Sequence, residues 1–247
     1  MRVALWTPTP DAAWVAALSA ELGRGMELVL VGAEPARPPQ VDVDLYHVAG
    51  SPAHGFVYRA LLRRPGIVCL GEWGLHALVH AETVSRGDPD AYRREARRAH
   101  GDKGAFVARQ VLAGLGGALP GLLAMNQRVL DASLALVAFT EELQRRAAEL
   151  LPGRVVVHLP LDRLDGSAEN VSGAEAASLA TALRALIRDV APRAELERRA
   201  HAARAAEEGS RLGSAIGELR WAARELGLAE LPEDMEPLVA ALLGERS

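Results

Sequence analysis

The chain has one cysteine, one lysine, few aromatic residues and no long apolar run. A lone cysteine excludes any disulfide within the chain, which fits a reducing compartment. Cys69 lies inside Ile67-Val68-Cys69-Leu70, where a thiol acts as a small buried hydrophobe. Because Lys103 is the only lysine, positive charge rests on arginine, and 28 Lys+Arg against 32 Asp+Glu leaves a net charge of -4. There is no basic stripe of the kind that binds nucleic acid, so no nucleic-acid partner is expected. The longest weakly polar stretch, residues 111–125, is broken by Gly114, Gly116, Gly117, Pro120 and Gly121. It falls short of the ~20 apolar residues a membrane span requires, so no transmembrane segment is expected. Met1-Arg2-Val3-Ala4-Leu5-Trp6 passes directly into a strand-like run, with no apolar stretch ending in a small-residue cleavage site. The expected location is cytoplasmic.

Short, continuously apolar runs at residues 3–6, 27–31, 45–48, 67–70, 134–139 and 155–159 read as strands of a parallel sheet covered on both faces. Between them, residues 11–22, 53–63, 73–130 and 141–151 carry apolar side chains at helical spacing. That alternation predicts an α/β fold with a single Rossmann-like, doubly wound, mainly parallel sheet. Residues 164–173 read as a linker, and beyond it four helices are expected, separated by Pro192, Gly209, Gly227 and Pro232. The expected organisation is a Rossmann-like domain over residues 1–165 and an all-helical C-terminal extension over 166–247 that packs back on it. Apolar stripes in that extension, Leu179, Leu183, Leu186 and Ile187 and then Leu212, Ile216 and Leu219, need a surface to cover. That surface is the chain's own sheet, or else a partner or second copy.

Several ordered pieces carry a resemblance. Tyr46-His47-Val48-Ala49-Gly50-Ser51-Pro52-Ala53-His54 looks like a strand ending in Gly-Asn-x-Pro-x-His, and Arg64-Pro65-Gly66-Ile67-Val68 looks like a Pro-Gly-Val-Val strand. Leu75-His76-Ala77-Leu78 follows, then Tyr92 with Gly101 and Gly104, Asn126-Gln127-Arg128-Val129-Leu130, and a last strand ending at Pro160. Over residues 45–160 the chain resembles the N-terminal, acceptor-side domain of family-four GT-B retaining glycosyltransferases. The resemblance implies half of a GT-B fold, a bacterial source and a role in polysaccharide or glycolipid synthesis.

The departures fall where such enzymes do chemistry. The loop after the first strand, Thr7-Pro8-Thr9-Pro10-Asp11, has no glycine to let its backbone approach a phosphate. Leu70-Gly71-Glu72 stands where the family carries Leu-His-Asp, and Phe139-Thr140 where it carries His-Ser. After Pro160 there is a linker and helices in place of the nucleotide-sugar domain. The resemblance therefore implies a truncated glycosyltransferase-like pseudoenzyme, with no catalytic residues and no cofactor. It would serve as a binding or regulatory protein, as the acceptor-binding subunit of a split enzyme completed by a glycosyltransferase partner chain, or as a homodimer. An unrelated Rossmann-like enzyme is the remaining alternative.

Ligands of a doubly wound sheet sit beyond the carboxyl ends of its strands. That rule gathers Thr7, Gly50, Ser51, His54, Gly71, Glu72, Trp73, Thr140 and Glu141 around one crevice, and the matching pieces add His76 and Asn126. Glu72, His76 and His80 recur every four residues and would share a face of a helix begun near Gly71, a spacing that suits zinc. The family pattern already accounts for His76, so no metal is expected. The run Arg93-Arg94-Glu95-Ala96-Arg97-Arg98 reads as a solvated helix face. Its functional alternative is peripheral contact with an anionic lipid acceptor, with residues 111–125 at the interface.

Overall fold

A computed structural model describes residues 1–159 and the helix Gly173–Glu225, whose side chains are described at positions 177–203. The linker over 164–172 and the helix expected after Pro232 lie outside the described residues, and Leu212, Ile216 and Leu219 lie outside the described side chains.

All six expected strands form, as β1 (Arg2–Trp6), β2 (Glu27–Val31), β3 (Val43–Val48), β4 (Gly66–Leu70), β5 (Ser133–Ala138) and β6 (Val156–His158). They make one sheet, parallel throughout, in the order β2-β1-β3-β4-β5-β6. The chain runs outward from β1 to β2 and then returns to the other side of β1 as β3. Strand order thus reverses between β1 and β3, the position at which doubly wound sheets place their ligands.

Alternate side chains go to opposite faces, and each face has its own core. Ala4, Trp6, Tyr46, Val48, Val68, Leu70, Leu136 and Ala138 pack under α2 (Gly55–Arg63), α3 (His76–Glu82), α4 (Pro89–Leu112), α5 (Gln127–Ala132) and α6 (Glu141–Leu150). The other face carries Val3, Leu5, Val43, Leu45, Ile67, Cys69, Ala135 and Val137. Only α1 (Ala13–Gly23), among the helices before residue 159, covers that face, through Trp14, Val15, Leu18 and Leu22. Leu179, Ala180, Leu183, Leu186, Ile187, Val190 and Ala194 of α7 (Gly173–Glu225) complete the layer. Cys69 is part of this core, and burial pushes its thiol up to about 12.

Residues 73–130 hold three helices, α3, α4 and α5, with Gly87 in the left-handed region and Asp88 capping α4 before Pro89. α4 kinks at Gly101, whose φ of 59° and ψ of -142° only glycine adopts readily. Across the kink Gly104 lies against the Ala96 carbonyl so closely that no Cβ would fit. One expectation about helices is corrected: the tail is not broken at Pro192 or Gly209, since α7 runs through both.

The compact unit built on the sheet spans Met1–Arg198, and so takes in the first part of α7. Arg184 donates to the Glu21 carbonyl of α1. Arg198 reaches the Asp42 carbonyl at 3.1 Å and the fully buried Asp44 at 3.3 Å. Asp44 also accepts the Trp6 indole N–H at 2.9 Å and the Arg64 Nε at 2.9 Å. Burial raises the Asp44 pKa, and Arg64, Trp6 and Arg198 oppose that rise. The second unit, Arg199–Ser247, contributes the remainder of α7 through Glu225.

Candidate functional site

β1 runs out at Thr7, which is fully buried and continues the ladder by donating its amide to Val31 at 3.1 Å. The loop that follows closes on itself. Thr9 donates its amide to Thr7 Oγ1 at 3.3 Å, and Pro10 packs against Gly32, where a Cβ would come within 2.7 Å of the proline ring. Two prolines and this contact hold the loop against the exit of β2. It does not form a nest of free amides that could cradle phosphate.

The exits of β3 and β4 cross tightly. Gly71 donates its amide to Val48 at 2.9 Å, and Glu72 Oε1 accepts the Gly50 amide at 2.7 Å. A Cβ on Gly50 would lie 2.6 Å from the Gly74 carbonyl, so glycine is required there by the approach of two backbones. Glu72 itself is exposed. Ser51 starts a short 3-10 turn, Pro52–His54, by accepting the Ala53 amide at 3.3 Å, and that turn delivers His54 to the crevice floor.

His54 meets His47 there. The rings stack edge to face with centroids 4.9 Å apart, and Trp14 of α1 also packs edge to face with His47, at 5.0 Å. His47 Nδ1 lies 3.2 Å from Thr7 Oγ1. That hydroxyl accepts the Thr9 amide and also lies 3.3 Å from Thr9 Oγ1, so it can either donate to Nδ1 or accept from it, and the His47 tautomer sets which. Burial, and then the neighbouring His54, push the His47 pKa down to about 3. Burial also lowers that of His54, while the Ser51 backbone and the Glu72 carboxylate pull the other way.

Comparisons with protein family models, curated proteins and solved structures return no match.

Of the expected residues, Thr7, Gly50, Ser51, His54, Gly71 and Glu72 meet around the β1 and β3 exits. Trp73 and Asn126 form a neighbouring pair, the Asn126 amide donating to the Trp73 carbonyl at 3.1 Å, with the Arg146 guanidinium 5.9 Å above the Trp73 ring. Thr140, at the end of β5, caps α6 by accepting the Leu143 amide at 3.2 Å, and Glu141 opens that helix. His76 belongs to a different cluster, its Nε2 2.7 Å from the Tyr92 hydroxyl, with His80 packed on the same ring.

The helix that would align Glu72 with His76 and His80 does not form. α3 begins at His76, and Glu72 is held by Gly50 in the preceding loop. Among the described residues no three His, Cys, Asp or Glu are grouped to hold a metal ion. Arg93, Arg94, Arg97 and Arg98 are exposed and pair with Asp90, Asp88, Asp102 and Asp131, which makes that run a solvated face.

Sequence reasoning passed over His47 and Trp14 as site residues. The available signal was the composition of β3, where Asp44 and His47 interrupt an otherwise apolar strand that is buried along its whole length. A polar residue kept in such a strand needs a partner or a purpose.

Proposed function

We propose that this chain is a glycosyltransferase-like binding protein that holds an acceptor at the crevice between the β1 and β3 exits, takes part in polysaccharide or glycolipid synthesis in the cytoplasm, and performs no sugar transfer by itself. The observation that carries this reading is a polar cluster at the topological switch point with no phosphate cradle beside it. Thr7, His47 and His54 form its buried part and Glu72 its exposed edge, while the Thr7-Pro8-Thr9-Pro10 loop is packed shut on Gly32. The likeness of residues 45–160 to an acceptor-side glycosyltransferase half supplies the ligand class. Isolated protein incubated with common nucleotide-sugars and glycan acceptors is expected to give no product above a buffer control. By calorimetry, nucleoside diphosphates are expected to bind no more tightly than about 1 mM. Turnover that disappears in Glu72→Ala, or micromolar nucleotide affinity, would overturn the reading.

A lipid-linked acceptor is favoured by the surface of the α4–α5 region. Phe106, Leu115 and Leu122 are 50%, 70% and 73% exposed, and lie within one short segment. From Lys103 to Leu130 there is no acidic residue, although the protein as a whole is acidic, and Lys103 and Arg109 are exposed there. Apolar side chains interspersed with cations, in a segment bounded by Asp102 and Asp131 and holding no carboxylate between them, match an anionic bilayer surface. Among the described residues no helix is long and apolar enough to cross a membrane, so this contact would be peripheral. Co-sedimentation with phosphatidylglycerol vesicles is expected, weakened by salt and at least about tenfold by the pair Phe106→Glu and Leu122→Glu. Equal retention by phosphatidylcholine vesicles, or no retention by either, would remove the lipid component.

A further inference from the structure

Five buried side-chain polar atoms among the described residues have no well-formed hydrogen bond, and three of them lie together at the β1–β3 exits: His47 Nε2 and both ring nitrogens of His54, a ring whose nearest backbone neighbour is Ser51. These histidines are 4% and 7% exposed. Native folds rarely keep a buried polar nitrogen unsatisfied, and one kept that way calls for an explanation. Three such nitrogens on two touching rings, at the point where doubly wound sheets place their ligands, point to recognition of something that brings its own hydrogen-bonding groups.

Gly71 borders the His47 ring. Its backbone lies outside the left-handed region, so no turn demands a glycine. A Cβ at this position would sit 3.3 Å from Ala49 Cβ and 3.7 Å from His47 Nε2, filling the space beside the orphan nitrogen. Gly71 is itself half-buried, and the exposed Glu72 follows it in the chain.

The charge of the site selects the ligand. Both imidazoles are held in the neutral form by burial, so they offer no cationic attraction, and the nearby Glu72 carboxylate would repel an anion. A neutral imidazole presents one donor and one acceptor nitrogen, which suits hydroxyl groups that both give and take a proton. We propose that His47 and His54 form a binding site for a neutral, hydroxyl-bearing ligand of the kind a glycan offers as neighbouring hydroxyls, entering past Gly71 and lying beside Glu72. The inference rests on the acceptor-binding reading above and names the side chains that would contact that acceptor.

The test is a long-range proton–nitrogen correlation of the histidine rings in the intact 15N-labelled chain. Methyl glycosides are titrated to about 0.1 M, the weak end expected of a single sugar unit, with inorganic phosphate as a second probe. The ring nitrogens of His47 and His54 are expected to shift saturably with a glycoside and to stay unmoved with phosphate. Gly71→Val is expected to weaken the response at least about tenfold, with amide shifts confined to the residues around Gly71, Ala49 and His47. No ring response to any glycoside, or a response to phosphate instead, would overturn the proposal whatever Gly71→Val does. Glycoside shifts confined to amides elsewhere would also overturn it, yet leave acceptor binding standing; that reading fails separately, in the transfer assay.

Discussion

Leu183→Ala is expected to destabilise the protein by about 2–5 kcal/mol in urea unfolding, the range for removing a fully buried leucine from a well-packed core. Leu183 is 0% exposed and belongs to the layer that α7 lays over β1, β3, β4 and β5. Without α7 that face would keep only α1 among the described helices, and the layer shared with Ile67, Cys69, Ala135 and Val137 would be incomplete. Leu183, Ile187 and Val190 are each completely buried, and burying one such side chain contributes roughly 1.5–3 kcal/mol, so the helix contributes to the fold as a unit. The control is Leu196→Ala on the same helix. Leu196 is 70% exposed, and its loss should change stability by no more than about 0.5 kcal/mol. Equal midpoints for the two variants would show that α7 is not an integral layer.

Why the strands were legible and the helices less so follows from what each signal measures. A parallel strand buried on both faces is apolar over consecutive residues, as at Ile67 to Leu70, and its short length, its β-branched residues and the Pro65-Gly66 turn before it separate it from a buried helix segment. Helix ends depend instead on local breakers, whose effect is conditional. Pro192 removes one hydrogen bond and disfavours the preceding turn, a cost of about 3 kcal/mol in a helix interior. In α7 the apolar register continues across it, with Ile187 and Val190 buried before and Ala194 after, and Arg198 fastened to Asp44 beyond. Tertiary burial on both sides offsets the break, which the sequence alone does not reveal. Gly101 works in the opposite direction, since a glycine inside a helical pattern is permitted to stay helical, and only the approach of Gly104 to Ala96 selects the kink.

The site divides in the same manner. Residues placed by topology alone, such as Thr7, Gly50, Ser51, His54 and Glu72, meet at the crevice because strand ends in a parallel sheet are predictable neighbours. Periodicity misplaced Glu72 relative to His76, because it presumes a helix that begins only after the loop. His47 was hidden by its own burial, since a strand interior is normally read as packing and its one unpaired nitrogen is a fact of three dimensions.

That burial makes the response to acid the sharpest check on the crevice. In the unfolded chain His47 takes up a proton near its ordinary pKa of 6.5, whereas in the fold burial and His54 delay this to about 3. Between those values the unfolded state binds more protons, so stability must fall as pH falls, by up to about 1.4 kcal/mol for each pH unit. His54, also lowered by burial, acts in the same direction below 6.5. Other groups titrate over the same range, and comparison with His47→Gln removes their share. The variant loses the bond to Thr7 at every pH but carries no proton-linked term at this position. Between pH 6.5 and 4.5 the wild type is expected to lose about 2–3 kcal/mol more than His47→Gln, measured as the difference between their urea unfolding free energies. Parallel pH profiles would mean that His47 is protonated within the fold at mildly acidic pH. A protonated His47 would be a cation in the crevice, and the argument that the site rejects anions would fall with the neutral ring.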